Sequence, residues 1–270
     1  MKVTSLSIDG KNADSVELPI VFNTPIRTEL IHSAFIKLNS HKFQKQGRHP
    51  TAGQDVVADS NDPPTGRGIS RVARMKGGGG GRQGQAGEVA STRGGRQAFP
   101  PNVKKVIYKK LNKKENKLAL CSAIAATTSK EFVKSNGHKI ENIKELPIIV
   151  SDDIENISRT SEMKKIIAAL NLTGDVERLE KRKPRSGKVA LRGRTNKVGK
   201  SVLFVVSDSN KIENACSSIP GVDARSVRDL SILDLAPGSK PVRLTVYSKN
   251  ALDEINKIKS SHLELMVKMN

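Results

Sequence analysis

The sequence has 270 residues, and its 47 lysines and arginines outnumber 27 aspartates and glutamates to give a formal charge of +20. This charge indicates a polyanionic partner, most often nucleic acid, and 36% hydrophobic residues suffice for one modest core, so we assign residues 1–270 to a single globular domain with an inserted segment. No apolar run of about 18 residues is present, and the first residues lack the apolar core of a signal peptide, which favours a cytoplasmic protein with no membrane partner.

The N-terminal part predicts one strand and one helix. Residues 3–8 alternate in hydropathy and are typical of an edge strand. Thr24 and Pro25 have the residue types of a helix N-cap and of the first helical position, and the apolar residues that follow at helical spacing extend the helix to about residue 39. After residue 101 a second helix pattern begins, basic at first and apolar over residues 118–125.

Residues 47–101, between those two helices, contain no hydrophobic period typical of a strand or a helix. They include 13 of the 21 glycines, so the segment has no core of its own and should be disordered by itself, because burial cannot offset its ordering entropy. Residues 42–105 hold twelve basic and four acidic residues, a net charge of +8. We predict an extended loop that binds nucleic acid. Its candidate contact residues are Lys42, Lys45, Arg48, His49, Arg67, Arg71, Arg74, Lys76, Arg82, Arg93, Arg96, Lys104 and Lys105.

The second half of the chain alternates short apolar runs with amphipathic helices. Strands are predicted at residues 146–150, 202–206, 222–227 and 242–247. Helices are predicted at residues 161–170 with a stop at Gly174, at 209–216, at 229–235, and in a closing segment with Leu252, Ile255 and Ile258 on its apolar face. Because apolar strands alternate with helices, we expect an α/β fold, a three-layer sandwich whose sheet has roughly four strands and is mainly parallel.

A second basic segment spans residues 181–200. It contains nine basic residues and no acidic one. A solvated helix face would alternate its charges, so this composition favours a loop that contacts phosphate, which the planar guanidinium of arginine can hold through two hydrogen bonds. The candidate contact residues are Lys181, Arg182, Lys183, Arg185, Lys188, Arg192, Arg194 and Lys197.

No arrangement of residues points to catalysis. Residues 79–84 match the glycine spacing of a dinucleotide-binding loop, but no strand pattern precedes them and no helix pattern follows. Residues 199–201 resemble the end of a phosphate-binding loop, yet a strand pattern follows where that motif requires a helix. The histidines have no metal-ligand spacing, and Cys121 and Cys216 lie outside any C-x-x-C. We therefore expect a protein that is not an enzyme, with no metal site, no small-molecule substrate and two buried free thiols.

Two stretches carry a resemblance to a known family. The extended loop of the L-four family of large-subunit ribosomal proteins, in its archaeal and eukaryotic form, is similar to residues 48–101, RHPTAGQDVVADSNDPPTGRGISRVARMKGGGGGRQGQAGEVASTRGGRQAFPP. The same family's second rRNA-binding segment resembles residues 182–194, RKPRSGKVALRGR, which precede a VLFVV strand. The similarity covers nearly the whole chain, and it favours an archaeal member because eukaryotic members carry a long C-terminal extension.

The resemblance implies a structural constituent of the large ribosomal subunit that binds 23S rRNA and assists early subunit assembly. Its extended loop would form part of the nascent polypeptide exit tunnel beside a protein of the L-twenty-two family, with the nascent peptide as a transient partner. No cofactor is implied beyond Mg²⁺ ions associated with the rRNA. The residues that match the tunnel end of the loop are Arg71, Val72, Arg74, Met75 and Lys76.

The alternative is a non-ribosomal RNA-binding or chaperone-like protein with a disordered segment rich in glycine and arginine. Such proteins repeat RGG, which occurs here only at residues 93–95. Their segments also seldom return into a folded domain on both sides. We therefore favour the ribosomal interpretation.

Overall fold

The computed structural model describes residues 2–55, 58–63, 65–76, 81–180 and 183–257, apart from the side chains of Glu180 and Lys183. The chain divides into two compact units. We call residues 1–39 together with 110–270 the body, and residues 40–109 the arm. The body contains the central sheet, and the arm contains the glycine-rich segment 47–101.

The body is built on a six-stranded sheet. Its strands are β1 (Lys2–Leu6), β2 (Asn12–Glu17), β3 (Ile148–Val150), β4 (Leu203–Val206), β5 (Asp223–Ser226) and β6 (Thr245–Ser248). They lie in the order β2-β1-β3-β6-β4-β5, and the neighbouring pairs are parallel except for the antiparallel β1 and β2. The predicted mainly parallel α/β fold is confirmed, with more strands than the sequence indicated.

The N-terminal hairpin accounts for the larger sheet. β1 was predicted as an edge strand, but it lies inside the sheet between β2 and β3. The edge is formed by β2, whose sequence NADSVE is almost entirely exposed and therefore lacks the hydropathy alternation that reveals a half-buried strand. Pairing holds β2 in place, with Val16 opposite Val3 and an ion pair of 3.2 Å between Glu17 and Lys2.

Helices cover both faces of this sheet. They are α1 (Thr28–Ser40), α2 (Lys113–Ala126), α3 (Lys130–Ser135), α4 (Thr160–Ala169), α5 (Thr173–Glu180), α6 (Lys188–Leu191), α7 (Asn210–Ser217), α8 (Ile232–Leu235) and α9 (Lys249–Asn256), with 3-10 helices at Ile20–Asn23, Asp152–Asn156 and Pro237–Ser239. Leu203 and Val205 of β4 belong to a buried cluster with residues of α1, α2 and α9. Phe204 and Val206 belong to a second cluster with residues of α4 and α7. The core therefore lies on both faces of the sheet, as a three-layer sandwich requires.

The predicted start of α1 is wrong. The helix begins at Thr28, because the chain before it forms the 3-10 helix Ile20–Asn23. Thr24 ends that helix and donates its hydroxyl hydrogen to the Val21 carbonyl instead of capping α1. Burial explains the early turn, since Phe22 packs edge-on against Tyr247 of β6 at a ring distance of 5.5 Å.

The predicted helix stop at Gly174 is also wrong. α4 ends at Ala169, and Asn171 takes the left-handed conformation (φ 59°) that a glycine commonly supplies after a helix. Gly174 lies inside α5, a helix that the sequence did not predict. α5 is short and strongly charged, so it has too few apolar residues to show a helical period in hydropathy.

α3 was not predicted, and the remaining predicted helices differ from the structure mainly at their ends. α2 begins at Lys113, so the basic residues 102–112 that were predicted as its first part are not helical. Val103 and Val106 in this stretch are exposed, so the apolar face that a helix would have there is not buried. In the closing helix, Leu252 and Ile255 are buried as predicted, and Ile258 lies outside the described residues.

Candidate RNA interface

The two ends of the arm are held side by side. The Lys109 backbone N–H donates to the Ser40 hydroxyl at 3.0 Å, and His41 Nε2–H donates to the Lys109 carbonyl at 3.0 Å. The Tyr108 ring lies edge-on to the His41 ring at 5.9 Å, and Lys45 Nζ lies 5.7 Å from the centre of the Tyr108 ring. These contacts engage Lys45, one of the predicted RNA contacts, in a cation–π interaction within the arm.

Farther along, the outward and returning segments of the arm touch through glycine. Gly53 has φ +84°, and a Cβ on it would lie 2.7 Å from the backbone of Arg96. The Arg48 guanidinium donates to the Gln97 side-chain carbonyl across the same pair of segments. The glycine at 53 is therefore required both by its conformation and by the close approach of backbone.

A miniature sheet forms the next part of the arm. Ala58–Asp59 pairs antiparallel with Arg74–Met75, and Arg74 forms a further bridge to Ala86. Ala58 is the one buried hydrophobic residue among the described residues of the arm. A Cβ on Gly87 would lie 2.8 Å from the Ala58 side chain, so this small core excludes any larger residue there. Packing of this extent cannot stabilise a segment of this length.

Some of the predicted contact residues in the arm already have partners. Arg74 donates to the Gly84 carbonyl at 2.7 Å and to the Ser70 hydroxyl at 3.2 Å. Lys76 Nζ lies 3.4 Å from the Asp59 carboxylate, and His49 lies 3.5 Å from Asp55. These side chains shape the arm.

Other predicted contact residues of the arm are exposed and have no side-chain hydrogen bond or ion pair with any described residue. They are Lys42, Arg67, Arg71, Arg82, Arg93, Arg96, Lys104 and Lys105. Of the predicted tunnel residues, Arg71 and Val72 are exposed in the connection between the two-residue strands, whereas Met75 is half-buried next to Gly87. The structure thus separates basic residues that order the arm from those that are available to a partner.

The second basic segment is a hairpin, whereas the sequence predicted a loop. Lys183–Pro184 pairs antiparallel with Asn196–Lys197, and the helical turn α6 lies between them. Lys181, Arg182 and the side chain of Lys183 lie outside the described residues. Arg185 is half-buried, and the remaining predicted contacts are exposed without a partner among the described residues: Lys188, Arg192, Arg194 and Lys197. Its strands have only two residues each, which is too short for a period in hydropathy to reveal the pairing.

A buried carboxylate connects the two ends of this hairpin. Asp175 in α5 accepts hydrogen bonds from His138 Nδ1–H at 3.0 Å, the Ser201 hydroxyl at 2.6 Å and Arg178 Nε–H at 3.0 Å. Burial alone would raise the pKa of Asp175, but these bonds outweigh burial and hold its pKa well below the ordinary value. Arg178 also donates to the Lys200 carbonyl at 3.1 Å. The residues before and after the hairpin are therefore tied to one anionic centre.

A buried arginine, Arg243, also holds the residues that follow the hairpin. Arg243 is 1% exposed and donates to the carbonyls of Ser201, Val202 and Gly221. Its guanidinium lies 2.6 Å from the Asp223 carboxylate, which also pairs with Lys200 at 2.8 Å. Lys200 is thus engaged in holding the hairpin, and the charge of Arg243 is paired as a buried charge must be.

The described residues offer no arrangement for catalysis. His138, Asp175 and Ser201 have the residue types of a hydrolase triad, but the Ser201 hydroxyl bonds to the carboxylate and all three residues are buried. Burial raises the pKa of Cys121 to about 11 and that of Cys216 to about 12, so both are unreactive thiols. The prediction of two buried free thiols is confirmed. Among the described residues no group of three or more metal-ligating side chains occurs, and no helix is long and apolar enough to cross a membrane.

Comparison with known proteins decides the family. Residues 16–258 match the family described as Ribosomal protein L4/L1 family. The chain belongs to this family. The resemblance seen in the glycine-rich segment and in the second basic segment is therefore confirmed.

Individual members of the L4/L1 family are similar over nearly their whole length. The large ribosomal subunit protein uL4 of Sulfurisphaera tokodaii is 41% identical over 258 residues, which covers 95% of this chain and 94% of that protein. The uL4 proteins of Pyrobaculum aerophilum and Methanococcus aeolicus are 43% and 40% identical, covering 94% and 95% of this chain and 89% and 99% of their own lengths. The archaeal form of the resemblance agrees with these relatives.

Sequence reasoning overlooked two features of this interface. The polar centre around Asp175 joins residues from distant parts of the sequence, and no local sequence pattern predicts such a cluster. Phe99, an exposed aromatic residue of the arm, was not predicted as a contact because the candidate residues were chosen by positive charge. An aromatic residue followed by two prolines in a segment without a core is a signal that could have identified it.

Proposed function

We propose that this chain is a structural constituent of the large ribosomal subunit in the cytoplasm, that it binds 23S rRNA and that it assists early assembly of the subunit. Its membership of the L4/L1 family and the name of its relatives, large ribosomal subunit protein, support this proposal. It has no catalytic role and no small-molecule substrate. The Mg²⁺ ions that accompany folded rRNA are its inorganic partners.

One observation carries the proposal. The arm buries a single hydrophobic side chain among its described residues, yet eight of its predicted contact residues are exposed lysines and arginines with no partner within the described chain. Such a segment gains stability only from an external polyanion that surrounds it. Folded RNA supplies phosphate from several directions, and bare glycine backbone allows it to approach closely.

The two basic regions have different parts in this binding. The hairpin at residues 183–197 is fixed to the body through Asp175 and Arg243, so it presents Lys188, Arg192 and Arg194 from a rigid support. The arm reaches farther, because an outward and a returning segment of about 27 residues each can extend at most about 90 Å. In this proposal the hairpin anchors the body on the rRNA, and the arm penetrates the folded rRNA.

The far part of the arm lines the nascent polypeptide exit tunnel in this proposal. Arg71 and Val72 are exposed there without partners, and Arg74, Met75 and Lys76 build the small sheet that supports them. The neighbour at this position is a protein of the L-twenty-two family, and the nascent peptide passes as a transient partner. A density map of the chain within its own large subunit tests this placement directly.

The salt dependence of rRNA binding tests the role of the arm. We expect the full chain to bind a large-subunit rRNA transcript, and replacement of Arg67, Arg71, Arg82, Arg93 and Arg96 by glutamine to reduce the slope of log affinity against log salt by about 3 to 4. The matched control removes five exposed charges from the body, at Lys134, Arg159, Lys164, Lys165 and Lys240. Equal loss of slope in both variants would contradict a dedicated role for the arm. A chain that binds unrelated RNA equally well and does not co-sediment with large subunits would overturn the proposed function.

A further inference from the structure

Phe99 in the arm is an aromatic side chain that the arm itself does not use. It is 99% exposed and its backbone has a positive φ of 48°, a conformation that residues other than glycine seldom adopt. Pro100 and Pro101 follow it and restrict the backbone on its C-terminal side. Tyr108, another aromatic residue of the arm, is by contrast in contact with His41 and Lys45. Phe99 is therefore held outward with both faces of its ring free.

A single exposed apolar residue is ordinary on a protein surface, but Phe99 also lines an open cleft. The cleft is open to solvent and has a volume of about 610 Å³. Its walls are formed by Gln46, Phe99, Pro100, Pro101, Asn102, Lys104 and Lys105. They combine a flat apolar surface, two side-chain amides and two ammonium groups, with no acidic residue.

The polar groups of the cleft are oriented by the arm and remain available. Asn102 Oδ1 accepts the Lys104 backbone N–H at 2.8 Å, which turns the amide nitrogen of Asn102 away from the backbone as a free donor. The side chains of Gln46, Lys104 and Lys105 have no hydrogen bond or ion pair with any described residue. Hydrogen-bond donors, an acceptor and two cations therefore line the same open cleft as the exposed ring of Phe99.

We propose that this cleft binds one unpaired nucleotide of RNA. Its base stacks on Phe99, its base edge meets the amide of Asn102 or Gln46, and the flanking phosphates lie against Lys104 and Lys105. Bases that are not paired in RNA present the π-face that aromatic side chains recognise, and lysine neutralises the adjacent phosphates. The inference rests on the proposed binding of rRNA and adds the site at which the arm holds a single base.

A protein partner fits the same cleft less well. Lysine is depleted at protein–protein interfaces, and charged residues are rare in their buried centres. Lys104 and Lys105 flank Phe99 within a segment whose net charge is +8 over residues 42–105. The charge of the cleft is thus complementary to a nucleotide.

Tryptophan fluorescence reports on this site directly, because the chain contains no tryptophan. Phe99→Trp keeps an aromatic face and places one fluorophore in the cleft, and Val106→Trp places one at an exposed position of the arm outside the cleft lining. We expect a large-subunit rRNA transcript to quench F99W strongly and to shield it from iodide, with a much smaller change for V106W. A fully paired RNA of the same length should leave F99W little changed, because it offers no unpaired base.

Affinity measurements separate stacking from charge. We expect Phe99→Ala and Phe99→Leu to weaken rRNA binding by about 5- to 100-fold without changing the salt slope, because stacking is lost and no charge is removed. Phe99→Tyr should retain affinity. Lys104→Gln and Lys105→Gln should each lower the slope by about 0.7. Val106→Ala, which shortens another exposed apolar side chain of the arm, should have little effect.

The outcomes distinguish this site from the proposed function. Wild-type binding with unchanged affinity in F99A, or F99W fluorescence that rRNA leaves unchanged, overturns the nucleotide site while the rRNA-binding function stands. Equal quenching by paired RNA also overturns it. If F99W responds only to another ribosomal protein, the occupant is a protein and the inference is wrong. A wild-type chain that binds no large-subunit rRNA overturns both.

Discussion

The body and the arm of this protein reach a defined structure by opposite means. The body buries both faces of its sheet, so that consecutive residues of β4, such as Leu203 and Phe204, enter different hydrophobic clusters. The arm buries Ala58 and otherwise relies, among its described residues, on backbone contacts at glycine and on hydrogen bonds from side chains such as Arg48 and Arg74. The difference teaches that burial of apolar surface supplies the stability of the body, whereas the arm has little such surface to bury and, in the proposed function, gains its stability from rRNA.

A matched pair of phenylalanine truncations gives the largest expected difference between the two units. Phe204→Ala in the body should lower the free energy of unfolding by about 3 to 5 kcal/mol, because Phe204 is fully buried and leaves a cavity. Phe99→Ala in the arm should change it by no more than about 0.5 kcal/mol. Chemical denaturation of both variants measures these values. Comparable losses in both would show that the arm contributes to the stability of the body.

The anionic centre at Asp175 gives the next effect. Asp175→Asn removes the charge that His138, Ser201 and Arg178 bind, so we expect a loss of about 2 to 3 kcal/mol in the free energy of unfolding at neutral pH. Because the pKa of Asp175 is lowered in the folded protein, its contribution is complete above the unfolded pKa of about 4 and disappears as the pH falls towards the folded value. The variant should therefore lose less stability than the wild type on acidification below about pH 4.

Thermal unfolding monitored by circular dichroism across pH measures both effects. Asp9→Asn is the matched control, because Asp9 is an exposed carboxylate of the body without a side-chain partner among the described residues. It should leave the melting temperature and its pH dependence unchanged. Parallel pH profiles for wild type and D175N would contradict the assigned role of Asp175.

The body could be predicted from its sequence wherever burial leaves a pattern. The apolar runs at residues 146–150 and 202–206 predicted β3 and β4, because strands covered on both faces are hydrophobic throughout. β2 was not predicted, since an exposed edge strand owes its conformation to pairing with β1 and has no hydropathy signal. The end of α4 was also predicted at the wrong residue. Asn171, and not Gly174, has the left-handed conformation after the helix, because tertiary packing determines where a helix ends.

The candidate RNA interface was predictable in composition but not in detail. Charge alone identified the arginines of the arm and their exposure. It could not tell Arg74, which donates to Ser70 and Gly84, from Arg82, which has no partner in the described chain, because the contacts arise from pairing of two-residue strands. Only the folded arrangement divides these residues into those with partners inside the arm and those that are exposed without a partner among the described residues.

Substitution of two glycines in the arm gives the smallest expected effect and the most specific test of how the arm differs from the body. Gly53 and Gly66 both have a positive φ, of 84° and 86°, but only Gly53 has backbone atoms where a Cβ would lie. Gly66→Ala should weaken rRNA binding through conformational strain alone, by about 1 kcal/mol or about 5-fold. Gly53→Ala adds a contact of 2.7 Å with the Arg96 backbone, so we expect a further loss of about 1 kcal/mol or more.

Affinity for the large-subunit rRNA transcript and the melting temperature of the free chain are the two measurements for this pair. Because the body does not depend on the arm for its core, both variants should melt at the wild-type temperature while their rRNA affinities differ. Equal affinities would mean that the close approach of residues 53 and 96 does not persist in the bound arm, and that RNA imposes a different path on it. A lowered melting temperature in G53A alone would instead assign the contact a role in the stability of the free chain, which the arm's small core does not otherwise provide.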